Sequence, residues 1–136
     1  MPDGDRARRV CGDQGLLGHG SAHEAIGSER VMAPHLVDVE VASGLRGLAV
    51  GARVPEAVAS AALEAWRSFG LTRFAVHPLL PRVWELRRNL TAYDATYVAL
   101  AEELDCPLMI ADARIARAAG PRCEVTVLPE EHGVVG

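Results

Sequence analysis

Short apolar runs recur along this chain with helix-patterned segments between them, and that alternation restricts its fold more than any other feature. Thr72 to His77 alternates in polarity, Pro107-Leu108-Met109-Ile110-Ala111 is continuously apolar, and Cys123 to Leu128 closes the series. Runs of this length predict strands, and the continuous one predicts a buried strand. Between them lie segments of helical period. Pro55-Glu56 opens one that reaches about Phe69, with Val58, Ala62, Leu63, Trp66 and Phe69 on one stripe and Gly70 ending it. Leu79 to Arg88 repeats the spacing through Leu80, Val83, Trp84 and Arg87, Ala92 to Leu104 forms the next helix, and Arg114 to Ala119 a short one. Upstream, Leu16 to Glu29 reads as a short helix interrupted by glycines at 18, 20 and 27, and Arg30 to Ala33 as a brief connector or strand. Pro34 sits near the start of a helix from about His35 to Val50 that stops around Gly51. Strands separated by helices imply right-handed crossovers, and so an α/β fold with a mostly parallel sheet covered on both faces.

The chain has 136 residues and is 49% apolar, enough for one domain with its own core. The longest apolar runs fall short of the roughly 18 residues needed to span a bilayer. Met1-Pro2-Asp3-Gly4-Asp5-Arg6 carries charges with no apolar core behind it, which is not a signal-peptide pattern, and the expected location is cytoplasmic. Cys11, Cys106 and Cys123 form no C-x-x-C pair and read as reduced thiols. A net charge of −4 argues against a broad basic surface for wrapping duplex nucleic acid, although acidic metal ligands would themselves lower the charge. All 14 basic residues are arginine. Without lysine there is no P-loop, no Schiff base and no phospho-receiver lysine.

Three carboxylates stand out. Asp112 closes the apolar run that begins at Pro107, and ligands in parallel α/β folds gather at the carboxyl ends of strands. Asp94 falls in the first turn of its helix, where the helix dipole favours a negative charge; a first-turn aspartate often does no more than stabilise the helix. Glu40 lies among Val39, Val41 and Ala42 and must find a partner or face water. Acids spaced this way suggest a divalent-metal site at the end of a sheet and phosphoryl-transfer chemistry. Asp38 reads as a solvated or capping residue, Thr91 as a helix cap, and Arg114 as a surface arginine in preference to a phosphate contact. Trp66 and Trp84 read as core or dimer-interface residues. His19 and His23 read as a solvated pair, and His35 as packing near its helix start.

The segments A-P-H-L-V-D-V-E-V-A-S-G-L-R, W-E-L-R-R-N-L-T-A-Y-D-A-T-Y-V-A-L-A-E-E-L and P-L-M-I-A-D-A-R-I-A-R-A together resemble the PIN-domain ribonuclease toxins of VapBC toxin–antitoxin modules. The resemblance runs from about residue 16 to 128. It implies a PIN-like three-layer α/β/α fold and a Mg²⁺- or Mn²⁺-dependent endoribonuclease acting on RNA. It also implies frequent homodimerisation and a VapB-like antitoxin that covers the acidic pocket. Carried over by motif, Glu40, Asp94 and Asp112 are the catalytic, metal-holding acids. Ile110 stands where the T-A-D-x-R motif has threonine.

The resemblance breaks at the amino terminus. Members open with a buried strand ending in an acid, as in V-V-D-A-S, whereas the first fifteen residues here carry no such pattern. Asp5 and Asp13 are nearby, but Asp5 follows no apolar run and Asp13 lies too close to Leu16-Leu17. Residues 1–15 are therefore expected to be a divergent, disordered start with the first strand poorly formed or missing, residues 16–128 the domain, and 129–136 a frayed tail. A reading frame displaced by one nucleotide upstream of about Leu16 accounts for this. Codons for Arg8 to Gln14 can be read one base later as Asp-Ala-Ser-Ala-Val-Ile-Lys. The expectation is weakened metal binding and impaired cleavage. The alternative is a catalytically dead remnant that only binds an antitoxin. A phospho-receiver with Asp112 as acceptor would need a lysine and a first-strand acid cluster, and neither is present.

Overall fold

The computed structural model describes residues 8–12 and 30–128. The expected helix of Leu16 to Glu29, Asp5, Asp13, the His19 and His23 pair and the tail from Pro129 lie outside the described residues. A five-stranded sheet of order β3-β2-β1-β4-β5, parallel throughout, forms the centre. The strands are β1 (Arg8–Cys11), β2 (Arg30–Pro34), β3 (Thr72–Phe74), β4 (Leu108–Ile110) and β5 (Val125–Val127). Helices α1 (Leu36–Val50) and α2 (Glu56–Ser68) pack on each other after β2. A 3₁₀ turn (His77–Leu79) leads into α3 (Leu80–Glu85), then α4 (Ala92–Leu104) precedes β4, and α5 (Ala113–Arg117) joins β4 to β5. Among the described residues no helix is long and apolar enough to cross a membrane.

The expectation of a missing first strand is corrected. β1 is the central strand: Val10 pairs with Met32 on one side and Leu108 on the other, and Cys11 with Met109. Val10 N–H donates to Pro107 O at 3.0 Å, and Gly12 N–H to Met109 O at 3.1 Å. Val10 and Cys11 are wholly buried. Two apolar side chains behind two arginines make too short a run to announce a strand, and backbone pairing on both edges supplies what the pattern lacks. The strand brings no carboxylate.

Arg30–Pro34 is a strand, which resolves the connector-or-strand alternative. Pro34 ends that strand and does not open the helix. His35 N–H then donates to Phe74 O at 2.9 Å, and α1 begins at Leu36. α3 stops at Glu85, short of the expected Arg88, where Leu86 N–H is shared between the Arg82 and Val83 carbonyls.

α4 is the buried axis of the domain. Every residue from Ala95 to Ala101 is buried, and the helix packs against β1, β2 and β4. Thr91 caps it as expected, its Oγ1 accepting from Asp94 N–H at 3.1 Å. At the carboxyl end, Asp105 adopts a left-handed conformation (φ 50°) as the helix stops.

The two tryptophans part company. Trp66 is buried, its ring stacked on Phe69. Trp84 is 67% exposed and lies under the Arg87 guanidinium, 4.7 Å from the ring centroid, so of its two expected places, core or dimer interface, the core is corrected. Asp38 is corrected too. It accepts a bidentate pair from Arg73 (2.7 and 2.9 Å) and the Trp66 indole N–H at 2.7 Å, tying α1 to α2 and β3. Arg73 holds its carboxyl below the usual range, with the indole adding to the effect. Asp38→Ala is expected to cost about 1–2 kcal/mol at neutral pH after allowing for solvent screening of this partly exposed pair. A depressed carboxylate stabilises the fold above its unfolded pKa, so that difference should vanish as pH falls through the folded value. Urea titrations across that acid range would check it.

Candidate functional site

Parallel strands put their carboxyl ends on one edge of the sheet, and three features of the chain meet there. β4 ends at Ile110, two residues before Asp112. β2 ends at Pro34 and leads directly into α1, which carries Glu40 in its second turn. α4 returns to β4 through a crossover and runs against the strands, so its amino-terminal turn, with Asp94, lies at the same edge.

Asp112 is the N-cap of α5. Its Oδ1 accepts Arg114 N–H at 2.8 Å, and its Oδ2 accepts the Arg114 Nε–H at 2.7 Å with Nη2 at 2.5 Å. These bonds hold the Asp112 carboxyl below its ordinary value. Asp94 behaves oppositely. Burial pushes its carboxyl up, the negative Asp112 adds to the rise, and the Thr91 hydroxyl and Arg114 oppose it. The structure thus brings Asp94 and Asp112 into electrostatic contact, with Arg114 as their shared counter-charge. Arg114, read as a surface arginine, is 82% exposed in its side chain but is committed to Asp112.

Glu40 reaches the site through another residue. Its Oε1 accepts the Tyr97 hydroxyl, and Tyr97 lies one turn along α4 from Asp94, on the same face. Glu40 is half-buried and has found the partner its apolar neighbours demanded. Tyr97 is the residue the sequence reading missed. The i, i+3 spacing of Asp94 and Tyr97 on an apolar helix was the available signal.

Among the described residues, no three His, Cys, Asp or Glu side chains close on one cation-sized volume. Asp112 is turned onto Arg114 and Glu40 onto Tyr97, leaving Asp94 and Asp112 as the close anionic pair. That pair still fits a hard divalent ion. Mg²⁺ takes oxygen ligands, is usually held by one or two carboxylates, and keeps several of its waters. An acid whose proton affinity is raised by a neighbouring carboxylate gains from a cation placed between them.

Comparisons with known proteins agree with this fold. The family model described as PIN domain matches residues 17–121, a span that begins downstream of β1. The VapC ribonuclease Mb0985 of Mycobacterium bovis is 49% identical over 114 residues, covering 84% of this chain and 90% of its own length. Ribonuclease VapC1 of Mycobacterium tuberculosis is 43% identical over 97 residues, covering 71% of this chain and 73% of its own. Among solved structures, VapBC2 from Rickettsia felis, bound to a DNA fragment from its promoter, superposes with a TM-score of 0.67 at 11% identity. That match covers 90% of this chain and 99% of the other. VapBC-5 from Mycobacterium tuberculosis gives 0.62 at 17% identity, covering 91% and 99%. At such identities the structures speak for the fold alone.

Proposed function

This chain belongs to the PIN-domain family, as a VapC-like member, and from that premise we propose that it is a metal-dependent endoribonuclease, the toxin of a type II toxin–antitoxin pair. The observation that carries the reading is the Asp94 carboxyl, pushed up by burial and by Asp112 at the carboxyl edge of the sheet. A half-buried acid beside a second acid weakens a fold unless something positive joins it, and such pairs mark working sites.

Asp94 and Asp112 would hold a Mg²⁺ or Mn²⁺ ion. When bound, the ion lowers the pKa of a coordinated water and offsets charge on the phosphodiester oxygens. The chain's own groups do the positioning. Thr91 fixes the first turn of α4 and so the direction of Asp94. Capping of α5 by Asp112 fixes the second carboxylate. Tyr97 holds Glu40 toward the same edge, where it would orient a water or accept its proton. Arg114 would meet an RNA phosphate once a cation takes its place on Asp112.

The antitoxin would be VapB-like, since the solved neighbours are VapBC assemblies. We propose a homodimer acting in the cytoplasm on RNA. A second reading is favoured by one observation: β1 (Arg8–Cys11) carries no carboxylate. On that reading the chain docks an antitoxin and cleaves nothing.

Incubating the mass-verified chain with single-stranded RNA, in Mg²⁺, in Mn²⁺ and in chelator, separates the two. Cleavage that needs the ion supports the nuclease. Intact RNA in both ions, with antitoxin still bound, supports the remnant. Arg114→Ala removes the cation competing for Asp112 and is expected to tighten Mn²⁺ binding several-fold. Calorimetric titration reads this directly, and unchanged or weaker binding would take Asp112 out of the ligand set.

A further inference from the structure

At the opposite, amino-terminal edge of the sheet, two cysteines each stand two residues before the start of neighbouring strands. Leu108 of β4 pairs with Val125 of β5, and Leu108 N–H donates to Glu124 O at 2.8 Å. Stepping two residues back along each chain reaches Cys106 and Cys123. Parallel neighbours lie about 4.8 Å apart where the two segments enter the sheet, and the two sulfurs are close enough to act on each other electrostatically. A disulfide asks for Cα atoms roughly 4.4–6.8 Å apart with both side chains on one side. Both cysteines also line a cavity of about 400 Å³, together with Glu102, Asp105 and Arg122. Both are thiols, Cys106 buried and Cys123 half-buried.

We propose that Cys106 and Cys123 form a modification site, an intramolecular disulfide made by exchange with a small-molecule disulfide that enters this cavity. The more exposed Cys123 thiolate attacks one sulfur of the incoming disulfide and expels one thiolate. The Cys106 thiolate then attacks the Cys123 sulfur of the mixed disulfide and expels the second. Two electrons pass to the oxidant, and the two protons lost by the protein end on the two departing thiols.

Burial, Glu102 and the Cys106 sulfur push the Cys123 thiol up. Less thiolate is then present at neutral pH, so the exchange quickens as pH rises. The bond closes a loop that contains β4, Asp112 and α5, and it staples the edge strand β5 to its neighbour. This site stands apart from the nuclease reading and does not depend on it.

The test uses the whole chain and glutathione disulfide. The chain and its Cys11→Ser variant should each lose about 2 Da, the mass of two hydrogens. A non-reducing tryptic map should join peptide 89–114, which carries Cys106, to peptide 123–136, which carries Cys123, and reductant should part them. The melting temperature should rise by at least about 3 °C, and Cys123→Ser should abolish that rise. Four results would overturn the proposal: a glutathione adduct that persists on Cys123, a link to peptide 10–30 with Cys11, disulfide-linked dimers, or no change in mass.

Discussion

Replacing Asp94 with asparagine should slow RNA cleavage by about 10²–10³-fold while leaving the protein at least as stable as before. The amide keeps the shape of the side chain and leaves the Thr91 cap bond to the Asp94 backbone untouched. It removes the negative charge that would hold a divalent ion beside Asp112. Loss of one preorganised electrostatic group at a reacting centre costs about 10²–10³ in rate. The stability sign follows from the raised carboxyl. A carboxyl that binds its proton more tightly when folded favours the fold below its unfolded pKa. That advantage is lost as pH rises through the folded value. At neutral pH the ionised Asp94 therefore opposes folding, and asparagine relieves it. The variant should unfold at equal or higher urea than the parent at neutral pH, with the gap closing in acid. Cleavage at an undiminished rate would remove Asp94 from the chemistry. A large drop in urea midpoint would make it a structural residue instead.

Val10→Asp should leave no cooperatively folded protein. Val10 is wholly buried in the middle strand, between Met32 and Leu108. An ionised carboxylate there has no partner and no water, and its burial costs several kcal/mol. The missing packing of the valine adds to this. Domains of this size are stable by about 5–15 kcal/mol, so the substitution consumes much or all of that margin. Far-ultraviolet circular dichroism with a thermal scan reads the outcome. A sharp transition near the parent's would mean that Arg8–Cys11 is not the strand bridging β2 and β4. The result also bears on the amino terminus, because an altered reading frame upstream of Leu16 would still have to deliver a strand to this slot.

The legible parts of the fold are those that carry their own period. α2 ends at Ser68, two residues before the glycine foreseen as its stop, α4 spans the foreseen Ala92 to Leu104, and β4 lies inside the foreseen apolar run. β1 was invisible because only Val10 and Cys11 of its four residues are apolar, too short a run to read as a strand. Trp66 and Trp84 sat on equally good apolar stripes, yet one is core and the other is exposed under an arginine. A stripe says which residues share a helix face, and only the neighbouring elements say whether anything covers it. Asp38 looked solvated because its partners, Trp66 and Arg73, lie 28 and 35 residues away.

The site divides along the same line. Local pattern alone was enough to place Asp112 after a buried strand, Asp94 in a capped first turn, and Glu40 in need of a partner, since caps and strand ends are short-range consequences of backbone geometry. It took the packed sheet to set Asp94 against Asp112, to hand Asp112 to Arg114, and to reach Glu40 through Tyr97. Those relations depend on distances between residues far apart in the chain, which strand order and helix packing set and no local pattern encodes.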